Sequence, residues 1–254
     1  MKKPISILLI LFILATFSFS QTVSFQDNPE LAGKIELFEK WIQAQMEYRG
    51  IVGLSIGIVY DQNLIWTKGF GYADQEKKIP ATPETIYRIA SISKTFTSTA
   101  ILQLRDSGKL RLDDPINKYL PWSYLFPSFT DSKGLTPAAN LSSCVVDLAK
   151  YISFQINGFT PVLKANTLRE MHRVYWLQPH WKSGWELGWG IRKEGERTIV
   201  SHGGCVGGYR TQVSFCSTDK IGIVVLTNSD DIKGKDAKIE RIKVGENYSV
   251  RVRE

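Results

Sequence analysis

Tyr87-Arg88-Ile89-Ala90-Ser91-Ile92-Ser93-Lys94-Thr95-Phe96 is the stretch from which the rest of the chain is read. It follows two apolar, alternating runs, Val52–Tyr60 and Leu64–Phe70, parted by the turn Asp61-Gln62-Asn63, which predict a strand pair. Downstream, Phe96, Ala100, Ile101 and Leu104 recur at helical spacing, and Gly108 stops the helix. Ser91 therefore stands where a helix begins, and Lys94 lies one turn on, on the same face. A serine hydroxyl needs a neighbour to take its proton, and a lysine amine at this spacing can do so. The first turn also offers unpaired N–H groups to a developing negative charge. The plainer alternative is a capping serine beside a solvated lysine. A second copy of the pattern, Ser217-Thr218-Asp219-Lys220, sits between alternating runs and reads as a hairpin turn.

Around this centre the predicted order is a helix over 34–48, the strand pair, and the Ser91 helix. A helix from Cys144 to Gln155 capped by Ser143 follows, then a short helix over 166–173. The final third alternates: Leu187–Arg192, Arg197–His202, Tyr209–Cys216 and Ile221–Thr227. This is not a repeating β-α-β pattern. It predicts an α+β fold with an antiparallel sheet of about five strands, flanked by helices, in which the first two strands join the last three.

The bounds on function come from length, charge and cysteine. Of the 254 residues, 1–20 read as an export signal: Lys2 and Lys3, an apolar run from Ile5 to Phe19, and small residues before a cut at Gln21. Removing it takes the formal charge from +7 to +5 and predicts a periplasmic or secreted protein without a membrane anchor. Residues 21–230 form one domain and 231–254 a charged tail. The basic residues are dispersed and not interleaved with aromatics, which argues against nucleic acid as a partner. Cys144, Cys205 and Cys216 are odd in number. A strand from Tyr209 to Cys216 spans roughly 23 Å, so Cys205 and Cys216 lie too far apart to bridge. No Cys/His spacing fits a metal site, and no cofactor is implied.

Gly53-Leu54-Ser55-Ile56-Gly57 matches the hydrolase elbow Gly-x-Ser-x-Gly, but the strand runs on past it into a polar turn, so Ser55 reads as an in-strand residue. His172 and His180, among Trp176, Trp181, Trp185 and Trp189, read as packing or cleft lining. A second glycine-rich motif, Ser201-His202-Gly203-Gly204-Cys205-Val206-Gly207-Gly208-Tyr209, closes one strand and opens the next. Its glycines let backbone approach a ligand.

Taken with Phe70–Asp74, Gly108–Pro115, Gly208-Tyr209-Arg210 and Leu226-Thr227-Asn228, these motifs resemble the serine β-lactamase and penicillin-binding-protein family, its class C-like branch in particular. The resemblance implies acyl transfer on a small-molecule or peptide substrate (ester, amide or β-lactam). Ser91 would be the acylated nucleophile and Lys94 its proton partner. His202-Gly203-Gly204 would be the edge-strand triad, and the backbone N–H groups of Ser91 and Cys205 the oxyanion hole. The chain departs from the family at one element, a Tyr-x-Asn on a loop between helices. The landmarks that flank it, Leu120-Pro121 and Pro137–Leu141, are fewer than twenty residues apart, so the chain is shortened near 120–137 and the helical subdomain truncated. Neither Tyr119, Tyr124 nor Tyr151 has an asparagine two positions on. The departure leaves two expectations: a serine hydrolase with impaired turnover, or a non-catalytic relative that binds cell-wall peptide or a partner.

Overall fold

The computed structural model describes residues 29–119, 136–157, 162–179 and 182–230, with two short pieces at 239–240 and 251–252. Helix α1 (Pro29–Arg49) leads into β1 (Gly53–Tyr60) and β2 (Asn63–Asp74), then the two-residue strands β3 (Ile79–Pro80) and β4 (Tyr87–Arg88). A 3₁₀ turn, Ala90–Ile92, opens α2 (Ser93–Asp106). The short α3 (Thr136–Ala139) and β5 (Ser142–Ser143) precede α4 (Val145–Asn157) and α5 (Ala165–Met171). Then come β6 (Trp176–Leu177), β7 (Ser183–Glu186), β8 (Trp189–Glu194), β9 (Arg197–Val206), β10 (Tyr209–Cys216) and β11 (Ile221–Thr227).

Among the described residues the main sheet has nine strands, in the order β3-β2-β1-β11-β10-β9-β8-β7-β6. The N-terminal pair joins the C-terminal meander through β1 and β11, antiparallel, with Leu54 opposite Thr227 and Tyr60 opposite Ile221. The fold is α+β, as the sequence predicts, with more strands than the five expected. Four strands exceed that number: β8, near the alternating run Leu187–Arg192, and β3, β6 and β7, of two to four residues, too short to carry a periodic signal.

Two apolar layers hold the sheet. On one face α1 lays Ile42 and Met46 on Leu54, Ile56 and Phe70. On the other, α2, α4 and α5 bury Leu102, Leu148, Ile152 and Leu168 against Val59, Trp189, Val213, Val224 and Leu226. Strand β1 is buried on both faces from Gly53 to Val59, which explains its nearly continuous apolar composition. Burial of this kind contributes on the order of 25 cal/mol per Å² of apolar surface removed from water.

Three expectations are corrected. Helix α1 starts five residues earlier than its apolar stripe. Ser143 does not cap α4: it lies in β5, its hydroxyl donates to Cys144 O, and the first helical N–H, of Val145, finds Pro83 O instead. Strand β9 does not stop at His202 but continues through the glycines to Val206, so Gly203, Gly204 and Cys205 are strand residues and the turn is Gly207-Gly208. Cys144, Cys205 and Cys216 are all free thiols, only Cys205 exposed. No described helix is long and apolar enough to cross a membrane. Residues 1–20, Trp122, Tyr124, His180, Trp181 and most of 231–254 lie outside the described residues, although Ile239–Glu240 and Arg251–Val252 pair as two short strands.

Candidate active site

The turn that presents Ser91 is built by an unusual backbone. Ala90, fully buried, has φ +48°, a left-handed conformation that costs an L-residue with a Cβ on the order of 1–2 kcal/mol. Surrounding contacts hold it there. Thr211 Oγ1 donates 3.0 Å to Ile89 O, and Ile89 N donates 3.0 Å to Leu141 O. The chain reverses at Ala90, and Ser91 emerges just before α2. Ile92, not Ser91, occupies the cap position of that helix, which removes the capping alternative.

Lys94, on the first turn of α2, donates from Nζ to Ser91 Oγ at 2.8 Å. Its second partner is a main-chain carbonyl, Ala138 O, at 3.0 Å. Ser91 Oγ and Lys94 Nζ are therefore in direct contact, and the lysine is exposed.

The glycine-rich motif closes the other side. A methyl group at Gly204 would lie 2.4 Å from both Ile89 O and Thr211 Oγ1 and 3.0 Å from Ala90 Cβ, so only glycine lets β9 press on the Ser91 turn. The register sets His202 opposite buried Val213, hence on the face that carries α2. His202 Nδ1 lies 2.6 Å from Gly203 O. A carbonyl only accepts, so Nδ1 carries the proton and Nε2 presents a lone pair. Burial holds the His202 ring below its ordinary range. The bond to Gly203 O opposes this, and the nearby Lys94 amine reinforces it. The balance favours the neutral imidazole. Ser91, Lys94, His202, Gly203, Gly204 and Cys205 thus gather around one turn and one strand.

The hairpin between β7 and β8 forms the adjoining wall. Gly188, at φ +86°, lies against Lys94 O, Thr95 Cα and Ser98 Oγ. The same hairpin carries Glu186, which sequence reasoning missed. It is 3% exposed, and neither carboxylate oxygen has a hydrogen-bond partner among the described residues. Burial, with Glu170 adding and Arg173 opposing, pushes its pKa up to about 8. The available signal was an acidic residue at an inward position of the strand Ser183-Gly184-Trp185-Glu186.

Other candidates fall away from this centre. Ser55 is buried in β1, donating to Thr82 O at 2.7 Å beside Tyr87 Oη at 2.8 Å. Ser217–Lys220 is the turn between β10 and β11. His172 packs against Trp189 and Phe215, pairs with Gln155 Oε1 at 2.8 Å, and burial takes its pKa down to about 4. Tyr119 gives its hydroxyl to Asp114, and Tyr151 is buried with its hydroxyl on Thr99, so neither faces Lys94. Among the described residues no three His, Cys, Asp or Glu side chains gather as a metal site would require.

The family profile "Beta-lactamase" matches the chain over residues 38–134 and 123–245. The chain belongs to the β-lactamase family. It is a member of the wider serine β-lactamase and penicillin-binding-protein group and of serine hydrolase type. It is 47% identical over 72 residues to the serine β-lactamase-like protein LACTB, mitochondrial, of Bos taurus, covering 28% of this chain and 13% of that protein. It is 42% identical over 83 residues to the protein flp of Staphylococcus aureus strain N315, covering 33% of this chain and 17% of that protein. The chain thus spans less than a fifth of the length of these curated relatives. The octameric penicillin-binding protein homologue from Pyrococcus abyssi superposes with a TM-score of 0.71 at 21% identity, covering 78% of this chain and 74% of that one, a likeness of fold. The two profile matches overlap over residues 123–134.

Proposed function

We propose that the protein is a serine acyltransferase or hydrolase whose acyl-enzyme forms on Ser91. The observation that carries this is the 2.8 Å bond between Ser91 Oγ and Lys94 Nζ, set beside a strand that only glycine lets approach. Lys94 Nζ takes the hydroxyl proton as Oγ adds to the carbonyl carbon of an ester, amide or β-lactam. The oxyanion so formed is received by the Ser91 and Cys205 N–H groups, each such donor contributing roughly 3 kcal/mol. Collapse expels the alkoxide or amine, which takes the proton back from Lys94. His202, its Nδ1–H held on Gly203 O, then accepts at Nε2 a proton from the water that adds to the acyl carbon, and returns it to Ser91 Oγ as the ester bond to the serine breaks. With no Tyr-x-Asn element, deacylation is the slower half of the cycle. In the same reading residues 1–20 export the chain to the periplasm or medium, and the partner is a small-molecule or peptide substrate.

A second reading, a binder without turnover, is favoured by one observation: the second partner of Lys94 is a carbonyl, which can neither give nor relay a proton. An alkyl fluorophosphonate and a fluorescent penicillin separate the two. The acyl-enzyme reading expects stoichiometric labelling that Ser91→Ala abolishes. Labelling that survives in Ser91→Ala refutes it, and no labelling of the wild type leaves the binder.

A further inference from the structure

This inference rests on the reading of Ser91 and Lys94 given above. The segment 137–141 crosses the first turn of α2, and three side chains of that helix hold it. Thr97 Oγ1 donates to Pro137 O at 2.5 Å, Lys94 Nζ donates to Ala138 O at 3.0 Å, and Ser93 Oγ accepts from Leu141 N at 3.1 Å. Leu141 O receives Ile89 N at 3.0 Å, and Ser143 pairs with Tyr87 in the β4–β5 ladder. The segment is thus a strap bound at several points to the stretch that carries the nucleophile.

Its chemistry matters for the lysine. An amine on a flexible four-carbon stem samples many directions unless a second contact fixes it. A carbonyl only accepts, so it takes one N–H of Lys94. With that N–H fixed on Ala138 O, the remaining directions at nitrogen are set, and one lies along the 2.8 Å line to Ser91 Oγ. That line is the path along which a proton passes between Ser91 Oγ and Lys94 Nζ. Thr97 touches neither Ser91 nor Lys94 through its hydroxyl. That hydroxyl has one proton and two acceptors in reach. The strap carbonyl, at 2.5 Å, outcompetes Ser93 O of its own helix, at 3.2 Å.

We propose that Thr97 is a positioning residue: its hydroxyl seats the strap whose Ala138 carbonyl aims the Lys94 amine at Ser91, the task for which this chain has no Tyr-x-Asn side chains. Thr97→Val removes the hydroxyl and keeps the shape, and Thr97→Ser keeps the hydroxyl. Fluorophosphonate labelling slows on the order of tenfold in Thr97→Val, because a small misplacement of a catalytic group is costly, and returns to the wild-type rate in Thr97→Ser. Two readouts do not depend on catalysis. Acetylation of Lys94 by acetic anhydride, read by mass spectrometry, rises in Thr97→Val as the amine loses its anchor. Hydrogen exchange of the 136–141 amides also rises. Thr97→Ala serves for the same comparison should the valine variant melt below the assay temperature. Unchanged Lys94 acetylation and unchanged strap exchange in the hydroxyl-less variant overturn the inference. Wild-type protein that fails to label at Ser91 overturns the hydrolase reading instead, and the acetylation and exchange comparison still decides for or against Thr97.

Discussion

Gly204→Ala tests the contact that joins the two halves of the site. The added methyl would sit 2.4 Å from Ile89 O and from Thr211 Oγ1, whereas ordinary contact begins at 3.4 Å. Thr211 is itself buried and bonded to Ile89 O, so neither neighbour can step aside without breaking the other's bond. The relief available is a retreat of β9 from the Ser91 turn by about 1 Å, and a shift of that size costs on the order of a hundredfold in rate. The Cys205 N–H moves with the strand, and loss of one oxyanion donor is worth about 2.7–4 kcal/mol, or roughly 10²–10³ in rate. Overpacking adds about 1–3 kcal/mol of destabilisation, seen as a lower Tm. The assay is the pseudo-first-order rate of fluorophosphonate labelling, measured well below the variant's Tm. Gly207→Ala is the control. No atom of the described residues beyond its chain neighbours lies within 4 Å of its added methyl, so labelling stays within about threefold of wild type on the ordinary scale of a surface change. Wild-type labelling by Gly204→Ala, or equal losses in both variants, would refute the argument that β9 is positioned by its press on residues 89–90.

Lys94→Ala should slow labelling by about 10²–10⁴, the usual contribution of a positioned base, with Tm little changed because the side chain is exposed; a rate within threefold of wild type counts against it. Glu186 governs an alkaline weakness. Its pKa is raised to about 8, so the folded state holds the proton more tightly than the unfolded chain. The stability this provides is complete below the ordinary value of 4.5 and is lost as pH rises through about 8. Tm should fall across that window in the wild type and stay flatter in Glu186→Gln; parallel curves would contradict the assignment. In native protein one thiol of three, Cys205, should react with a disulfide reagent, and Cys144 and Cys216 only after unfolding; two or more fast thiols would place the buried pair wrongly.

The sequence signals that worked were those with a local cause. Alternation in Ile221–Thr227 and Tyr209–Cys216 marks strands whose inward residues are buried and whose outward ones are not. Ser-x-x-Lys before a helical stripe is a spacing rule, and the structure turns it into a contact. What stayed hidden has a tertiary cause. Nothing about an alanine announces a left-handed backbone at Ala90; the bonds from Thr211 and Leu141 to Ile89 hold the turn it sits in. Glycines disfavour strands, yet Gly203 and Gly204 extend β9 because β10 pairs with them. The Ala138 carbonyl that meets Lys94 belongs to a main chain that any residue supplies, so no residue type could betray it. Glu186 breaks the apolar pattern of its strand, but its burial depends on α5 and on the hairpin's seat against α2.

The placement of β1 between β2 and β11 sets an order of events during synthesis. Each of its rungs to β11 joins residues more than 160 positions apart. A ribosome therefore delivers the β1–β2 hairpin long before the strand that covers its bare edge. Such distant closure is slow, and the nascent molecule stays open while most of it is made. The bond from Thr211 to Ile89 cannot form until that late meander arrives. The turn that carries Ser91 therefore gains this bond only when nearly all of the chain described here has been made.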